Sequence, residues 1–257
     1  MNKPQQRVGL LTGGGDCPGL NAVIRAVTQC LTRQCGAQVI GIQDGFAGLM
    51  ESRTVPLSWE RVDDLLALGG TVLGTTNRLN PLTSPDGVAR AMHNAHALGL
   101  DALVAIGGDG TLTIAHALAQ HGMHVVGVPK TIDNDIEGCE RSFGFDTAVA
   151  TVTDALERVH TTGQSHGRIM ILETMGRHAG WIALEAGIAG AADIILLPEI
   201  DHDIEALARV CREREARHDF TLICMGEGAK ASLGAFDHLI RSSAPAAPAR
   251  ADVAVTA

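Results

Sequence analysis

Short apolar runs alternate with helical stripes along this chain of 257 residues. The runs at 8–12, 38–42, 102–106, 124–128, 168–173, 194–198 and 221–225 are mostly continuous rather than alternating, as in strands covered on both faces of a parallel sheet. Between them, Leu20, Val23, Ile24, Val27, Cys30 and Leu31 form one helical stripe. Val149, Val152, Leu156 and Val159 form a second behind Asp146, and Ile204, Leu207, Val210 and Cys211 a third behind Asp203. An aspartate just ahead of such a stripe predicts an N-cap. Ser84-Pro85 predicts a helix start and Gly99 a stop. The apolar stretches 65–68 and 194–197 are expected in the core. This rhythm predicts an α/β fold of two Rossmann-like lobes, their mostly parallel sheets flanked by helices. The lobes are expected at 1–140 and 141–240. Residues 241–257, rich in Ser, Ala and Pro without periodicity, are expected to be a disordered tail.

Composition narrows the partners. Lys plus Arg number 20 against 29 Asp plus Glu, for a net charge of −9, with two Trp, no Tyr and five Phe. Nucleic acid rewards basic surfaces and aromatic stacking, so it is excluded as a partner. Any anionic ligand must meet cations concentrated locally. The apolar run at 8–11 is too short for a signal peptide. The stretch 179–198, broken by Glu185 and Asp193, reads as helix, turn and strand, so no membrane span is expected. The six cysteines include no Cys-x-x-Cys and no zinc spacing, in keeping with reduced thiols in a cytoplasmic protein.

Four segments carry candidate chemistry. Thr12-Gly13-Gly14-Gly15-Asp16-Cys17-Pro18-Gly19-Leu20-Asn21 lies between a strand and a helix. There glycines let backbone N–H groups approach a phosphate and the helix start adds positive potential. The alternative is a tight turn without a ligand. It is not a Walker A, since no Gly-Lys-Ser/Thr follows. Gly107-Gly108-Asp109-Gly110-Thr111 ends another strand. Asp109 there suits Mg²⁺ bridging phosphate oxygens, or it caps a helix beginning at Thr111. Pro129-Lys130-Thr131-Ile132-Asp133-Asn134-Asp135 offers two carboxylates two residues apart. One could accept a hydroxyl proton while the other orients a cation or an arginine. Arg168, and Arg177 within Met175-Gly176-Arg177-His178-Ala179-Gly180, are with Lys130 the obvious local cations, arginine being suited to fork onto phosphate oxygens. The eleven histidines form no dense metal motif.

In this order, Gly-Gly-Gly-Asp-Cys-Pro-Gly-Leu-Asn, Pro-Lys-Thr-Ile-Asp-Asn-Asp and Met-Gly-Arg-His-Ala-Gly resemble the 6-phosphofructokinase family over about residues 7–227. Gly-Gly-Asp-Gly-Thr alone is shared with NAD kinases and lipid kinases, which the other motifs do not fit. The resemblance implies phosphoryl transfer to the 1-hydroxyl of fructose 6-phosphate. It implies that Gly15, Arg78, Gly108, Asp109, Gly110 and Thr111 hold the donor, with Asp109 on Mg²⁺. Asp133 becomes the proton acceptor. Thr131, Ile132, Asp133, Met175, Gly176, Arg177 and Glu227 become sugar-phosphate contacts. The resemblance also implies that Arg168 reaches a neighbouring subunit's site, hence a homo-oligomer, dimer or tetramer, with active sites between subunits.

Two departures qualify the likeness. Members using ATP usually have glycine at the places of Gly110 and Lys130, and those using pyrophosphate have Asp and Lys. Gly110 leaves room for an α-phosphate while Lys130 only adds a cation, so ATP is expected as donor, with pyrophosphate the alternative. After Gly226-Glu227-Gly228 the family continues with a Gly-His-x-Gln-Arg-Gly-Gly segment that has no counterpart here. The second lobe is therefore expected to be incomplete. A catalytically impaired nucleotide-binding remnant, or a partner subunit of a full-length kinase, is the competing expectation.

Overall fold

The computed structural model describes residues 5–76, 78–217 and 220–232 and the backbone of 254–256. The chain folds as two compact units, one of residues 1–131 with 136–144, the other of 132–135 with 145–257. The expected single boundary at 140 is thus replaced by a chain that crosses early, returns and crosses again, which puts Asp133 in the second unit.

The first unit runs β1 (Arg7–Thr12), α1 (Leu20–Arg33), β2 (Gln38–Ile42), α2 (Phe46–Glu51), β3 (Thr54–Leu57), α3 (Trp59–Val62), α4 (Gly87–Ala97), β4 (Ala102–Gly107), α5 (Asp109–Gln120), β5 (Val125–Thr131) and β6 (Phe143–Gly144). Its sheet has the order β3-β2-β1-β4-β5-β6, parallel except for β3. The continuous apolar runs have a direct cause. Leu11, Leu103 and Ala105 join one buried cluster, while Val8, Leu10, Val104 and Ile106 join another. Successive side chains of a strand point to opposite faces, so a sheet clad on both faces needs apolar residues at every position.

The second unit contains α6 (Phe145–His166), β7 (Ile169–Thr174), α7 (Trp181–Ala189), β8 (Ile194–Leu196), α8 (Ile204–Glu215), β9 (Thr221–Gly226) and β10 (Ala254–Thr256). Its sheet, β10-β7-β9-β8, is all parallel. Leu222 and Cys224 enter one cluster and Ile223 the other. Burial pushes the Cys224 thiol up to about 11, so it is protonated and serves as an apolar side chain.

Several expectations need correction. Of the tail expected to be disordered, 241–253 and 257 lie outside the described residues, but Ala254–Thr256 pairs with β7 along its backbone. Leu65 is buried, yet Leu66 and Leu68 are 64% and 57% exposed. The buried Asn21 amide donates to the carbonyls of Leu68 and Gly69 and accepts from Val72 N–H at 2.8 Å. Pinning this backbone to α1 turns the leucine side chains outward. The strand expected at 124–128 runs instead from Val125 to Thr131, with Val126 59% exposed. β6 pairs with β5 only at Lys130 and Thr131, and the lower part of that edge has no strand beside it among the described residues. Asp109 does not cap α5; Gly108 does, and Asp109 is the first helical residue.

Asp203 does cap α8, accepting from Glu205 N–H at 2.8 Å. Asp203→Ala is therefore expected to cost about 1 kcal/mol. That should appear as a fall of about 2–4 °C in melting temperature, read by circular dichroism, with Asp203→Ser close to the parent. No helix among the described residues is long and apolar enough to cross a membrane. No disulfide joins the six cysteines, all of which are described.

Candidate active site

Each unit carries part of the expected site at the carboxyl ends of its parallel strands, where open α/β sheets bind ligands. In the first unit β1 ends at Thr12 and β4 at Gly107. The loops that follow are braced together: Gly13 N–H donates to Ile106 O at 2.9 Å. Thr111 is buried between them. A Cβ placed on Gly13 would lie 2.5 Å from Thr111 Oγ1, and one on Gly107 would lie 2.5 Å from Thr111 Cβ. Thr111, expected as a donor contact, is also a wedge packed between the two glycine loops.

The carbonyls of the first loop are turned to protein. Gly14 O accepts from Thr75 Oγ1 and Gly15 O from Lys130 Nζ at 2.6 Å. Lys130 is only 5% exposed, at the end of β5 rather than in a loop. Its charge, expected simply to add a cation near phosphates, is committed to a loop carbonyl. Gly15 is exposed. The first N–H groups of α5, beginning at Asp109, have no intrahelical partner. Where a Cβ on Gly110 would stand there is no atom within 4 Å. Backbone donors and open space therefore coincide at Gly110.

A cavity of about 470 Å³ adjoins Thr75, lined among others by Asp44, Glu51, Arg53, Thr76 and Arg78. Arg53 is held by Asp44 and, at 2.8 Å, by Glu51. These carboxylates raise its pKa, Asp44 contributing most. Arg78, by contrast, has no ion pair among the described residues, and it brings the cavity its uncommitted positive charge. The Asp109 carboxylate is exposed on the first turn of α5. No cluster of three His, Cys, Asp or Glu able to hold a metal exists among the described residues. A single exposed carboxylate offers at most one protein ligand to a cation, and Mg²⁺ usually takes its remaining ligands from phosphates and water.

In the second unit, Asp133 is 8% exposed, and Arg177 Nε stands 4.0 Å from its Oδ2. Arg177 follows β7 in the left-handed region, with φ 54°, after Gly176 with φ 137°. A Cβ on Gly176 would meet Ala179 O at 2.5 Å, so glycine is required there. Glu227, expected to touch the sugar phosphate, accepts through Oε1 from Gly176 N–H at 3.2 Å and Arg177 N–H at 2.8 Å. Met175 is 54% exposed and available to a ligand. Ile132 instead packs partly buried against the core of this unit. Thr131, the last residue of β5 in the first unit, accepts through its carbonyl from Ser142 Oγ at 2.7 Å. Asp135 is exposed.

Arg168 is not brought to this cluster. It precedes the first residue of β7, whereas Met175 follows the last, which places them about 20 Å apart at ~3.3 Å per residue. Sequence reasoning missed Thr75, Asp44 and Glu199, the last of which accepts from Gly180 N–H at 2.8 Å. None belongs to a recognisable motif, and their signal is only that glycines stand opposite two of them, Gly74 against Asp44 and Gly180 against Glu199.

The phosphofructokinase family description matches residues 7–255. The chain is 49% identical over 242 residues to "ATP-dependent 6-phosphofructokinase 2" of Clostridium perfringens, covering 90% of this chain and 66% of that protein. It is also 49% identical over 224 residues to "Pyrophosphate--fructose 6-phosphate 1-phosphotransferase" of Streptomyces coelicolor, covering 87% and 65%. The chain thus spans about two thirds of the length of these curated relatives. Among solved structures, the phosphofructokinase of Saccharomyces cerevisiae superposes with a TM-score of 0.80 at 31% identity, over 92% of this chain and 36% of that one.

Proposed function

The chain belongs to the phosphofructokinase family, and on that premise we propose that it transfers the γ-phosphoryl group of ATP to the 1-hydroxyl of fructose 6-phosphate. The observation that carries this reading is the pair of glycine loops braced by Thr111 beside a cavity whose uncommitted cation is Arg78. Phosphoryl transfer needs positioning and charge neutralisation more than covalent help. The loop N–H groups and Arg78 bind and orient the donor phosphates. Asp109 would hold Mg²⁺, which when bound would offset phosphate charge. Asp133 takes the hydroxyl proton, and Arg177 draws in the anionic acceptor. Arg168, at the far end of β7, is assigned to the site of a neighbouring subunit in a homo-oligomer.

ATP is favoured over pyrophosphate by two features. The space at Gly110 leaves room for an α-phosphate, and the Lys130 charge is spent on Gly15 O. The relative that uses pyrophosphate keeps the other donor open to test. A coupled assay with fructose 6-phosphate, Mg²⁺ and either donor decides. Turnover with ATP is expected. Faster turnover with pyrophosphate reverses the donor assignment, and none with either leaves a nucleotide-binding subunit. Lys130→Met is expected to weaken Mg·ATP binding about tenfold, the worth of ~1.4 kcal/mol for a charge-assisted bond, without a gain in pyrophosphate use. Titration calorimetry with each donor measures this.

A further inference from the structure

Both ends of the loop that carries Arg177 hang on carboxylates. Glu227, just past β9, takes the N–H groups of Gly176 and Arg177. Glu199, just past β8, takes Gly180 N–H at 2.8 Å through Oε1. Its other oxygen would stand 2.6 Å from a Cβ on Gly180, where Leu197 and Pro198 also crowd. A glycine there lets the carboxylate close on the backbone. Between the two anchors a single turn, Ala179 N–H to Gly176 O at 2.9 Å, leaves Arg177 in the left-handed conformation with its guanidinium 4.0 Å from Asp133.

A residue held at positive φ in a solvent-facing loop keeps that conformation only when its surroundings over-determine it. The Arg177 side chain is 78% exposed, so it is the backbone that is constrained: its carbonyl lies close against Gly228, and its N–H, with that of Gly176, is held by Glu227. We propose that Glu199 is a positioning residue for the acceptor side of the reaction: it anchors the downstream end of the loop as Glu227 anchors the upstream end, and so sets where Arg177 presents its guanidinium beside Asp133. The substrate part of this inference rests on the proposed use of fructose 6-phosphate, and the loop part does not.

The test compares Glu199→Ala with Glu199→Gln in the full chain, since the glutamine oxygen still accepts from Gly180 N–H. Amide hydrogen exchange is expected to quicken about fivefold or more at Gly180 and also at Gly176 and Arg177 in Glu199→Ala. Rates in β7, β9 and the Gly13–Gly15 loop should not change, and Glu199→Gln should stay within about twofold of the parent. Affinity for fructose 6-phosphate, by calorimetry, is expected to fall about five- to tenfold in Glu199→Ala, with Mg·ATP affinity unchanged and recovery in Glu199→Gln. A general loss of stability would instead raise exchange throughout the second unit and would not be rescued by glutamine. Quickening confined to Gly180 overturns the proposal, because the anchor would then not reach Arg177. If the parent binds no fructose 6-phosphate, the acceptor reading fails, and exchange still decides whether Glu199 holds the loop. Should Glu199→Ala not fold, Glu199→Asp, which withdraws the carboxylate by one methylene, carries the same comparison.

Discussion

Asp133→Ala is expected to lower turnover by ~10²–10⁴-fold, the usual worth of a positioned base, while Mg·ATP binds as in the parent. The separation follows from the fold. The proposed donor groups, Gly15, Arg78 and Gly108 to Asp109, belong to the first unit, and Asp133 belongs to the second. Asp133 is 8% exposed, and its neighbour Arg177 is open to water. Removing the carboxylate leaves the Arg177 guanidinium solvated, and a melting curve alongside the assay checks that the variant folds. Asp133→Asn keeps the shape without the proton acceptor and is expected to be impaired similarly. Turnover from the coupled assay and Mg·ATP affinity from calorimetry read the two effects separately. If Asp133→Ala keeps turnover within a few-fold of the parent, the base is another residue, and the exposed Asp135 is the first to examine. Asp109→Ala should show the opposite split, losing Mg·ATP affinity first.

Gly13→Ala is expected to fail for a different reason. The added methyl would lie 2.5 Å from Thr111 Oγ1 and 2.9 Å from its Cγ2, and both loops must spread to admit it. Overpacking of this kind costs about 1–3 kcal/mol, or roughly 2–12 °C in melting temperature at ~2–4 °C per kcal/mol. Donor affinity should fall more than tenfold, because the loop N–H groups no longer converge. Gly15→Ala is the stability control: no atom stands within 4 Å of its Cβ position, so its melting temperature should match the parent's. The second-site change Thr111→Ala removes the wedge and should recover part of the loss in Gly13→Ala. Such non-additivity identifies the contact as the cause. Additive effects of the two substitutions would instead mean that Thr111 does not set the spacing of the loops.

Much of this was legible in the residues themselves. Strands β1, β2, β4, β7 and β9 announce themselves as continuous apolar runs, because a sheet clad on both faces cannot tolerate alternation. Asp203 is readable as a cap because capping is local, three residues of chain and one side-chain bond. The glycine loops are readable because close approach to backbone or phosphate admits no Cβ. What tertiary structure decided is where distant segments meet. That Lys130 spends its charge on Gly15 O, 115 residues away, follows from parallel pairing that brings β1, β4 and β5 together, and no local pattern encodes it. The same holds for Glu227, which grips the Gly176–Arg177 backbone across 50 residues, and for Asn21, which turns Leu66 and Leu68 outward. Short strands such as β3 and β6 lie below the reach of periodicity, with four and two residues. Propensity and hydrophobic period act through neighbours in sequence, so by itself the sequence determined the elements and the residue types at their ends. Hydrogen bonds and charge pairing act through neighbours in space, so only the packed sheets decided which of those residues stand open at the strand ends and which are spent on holding the loops in place.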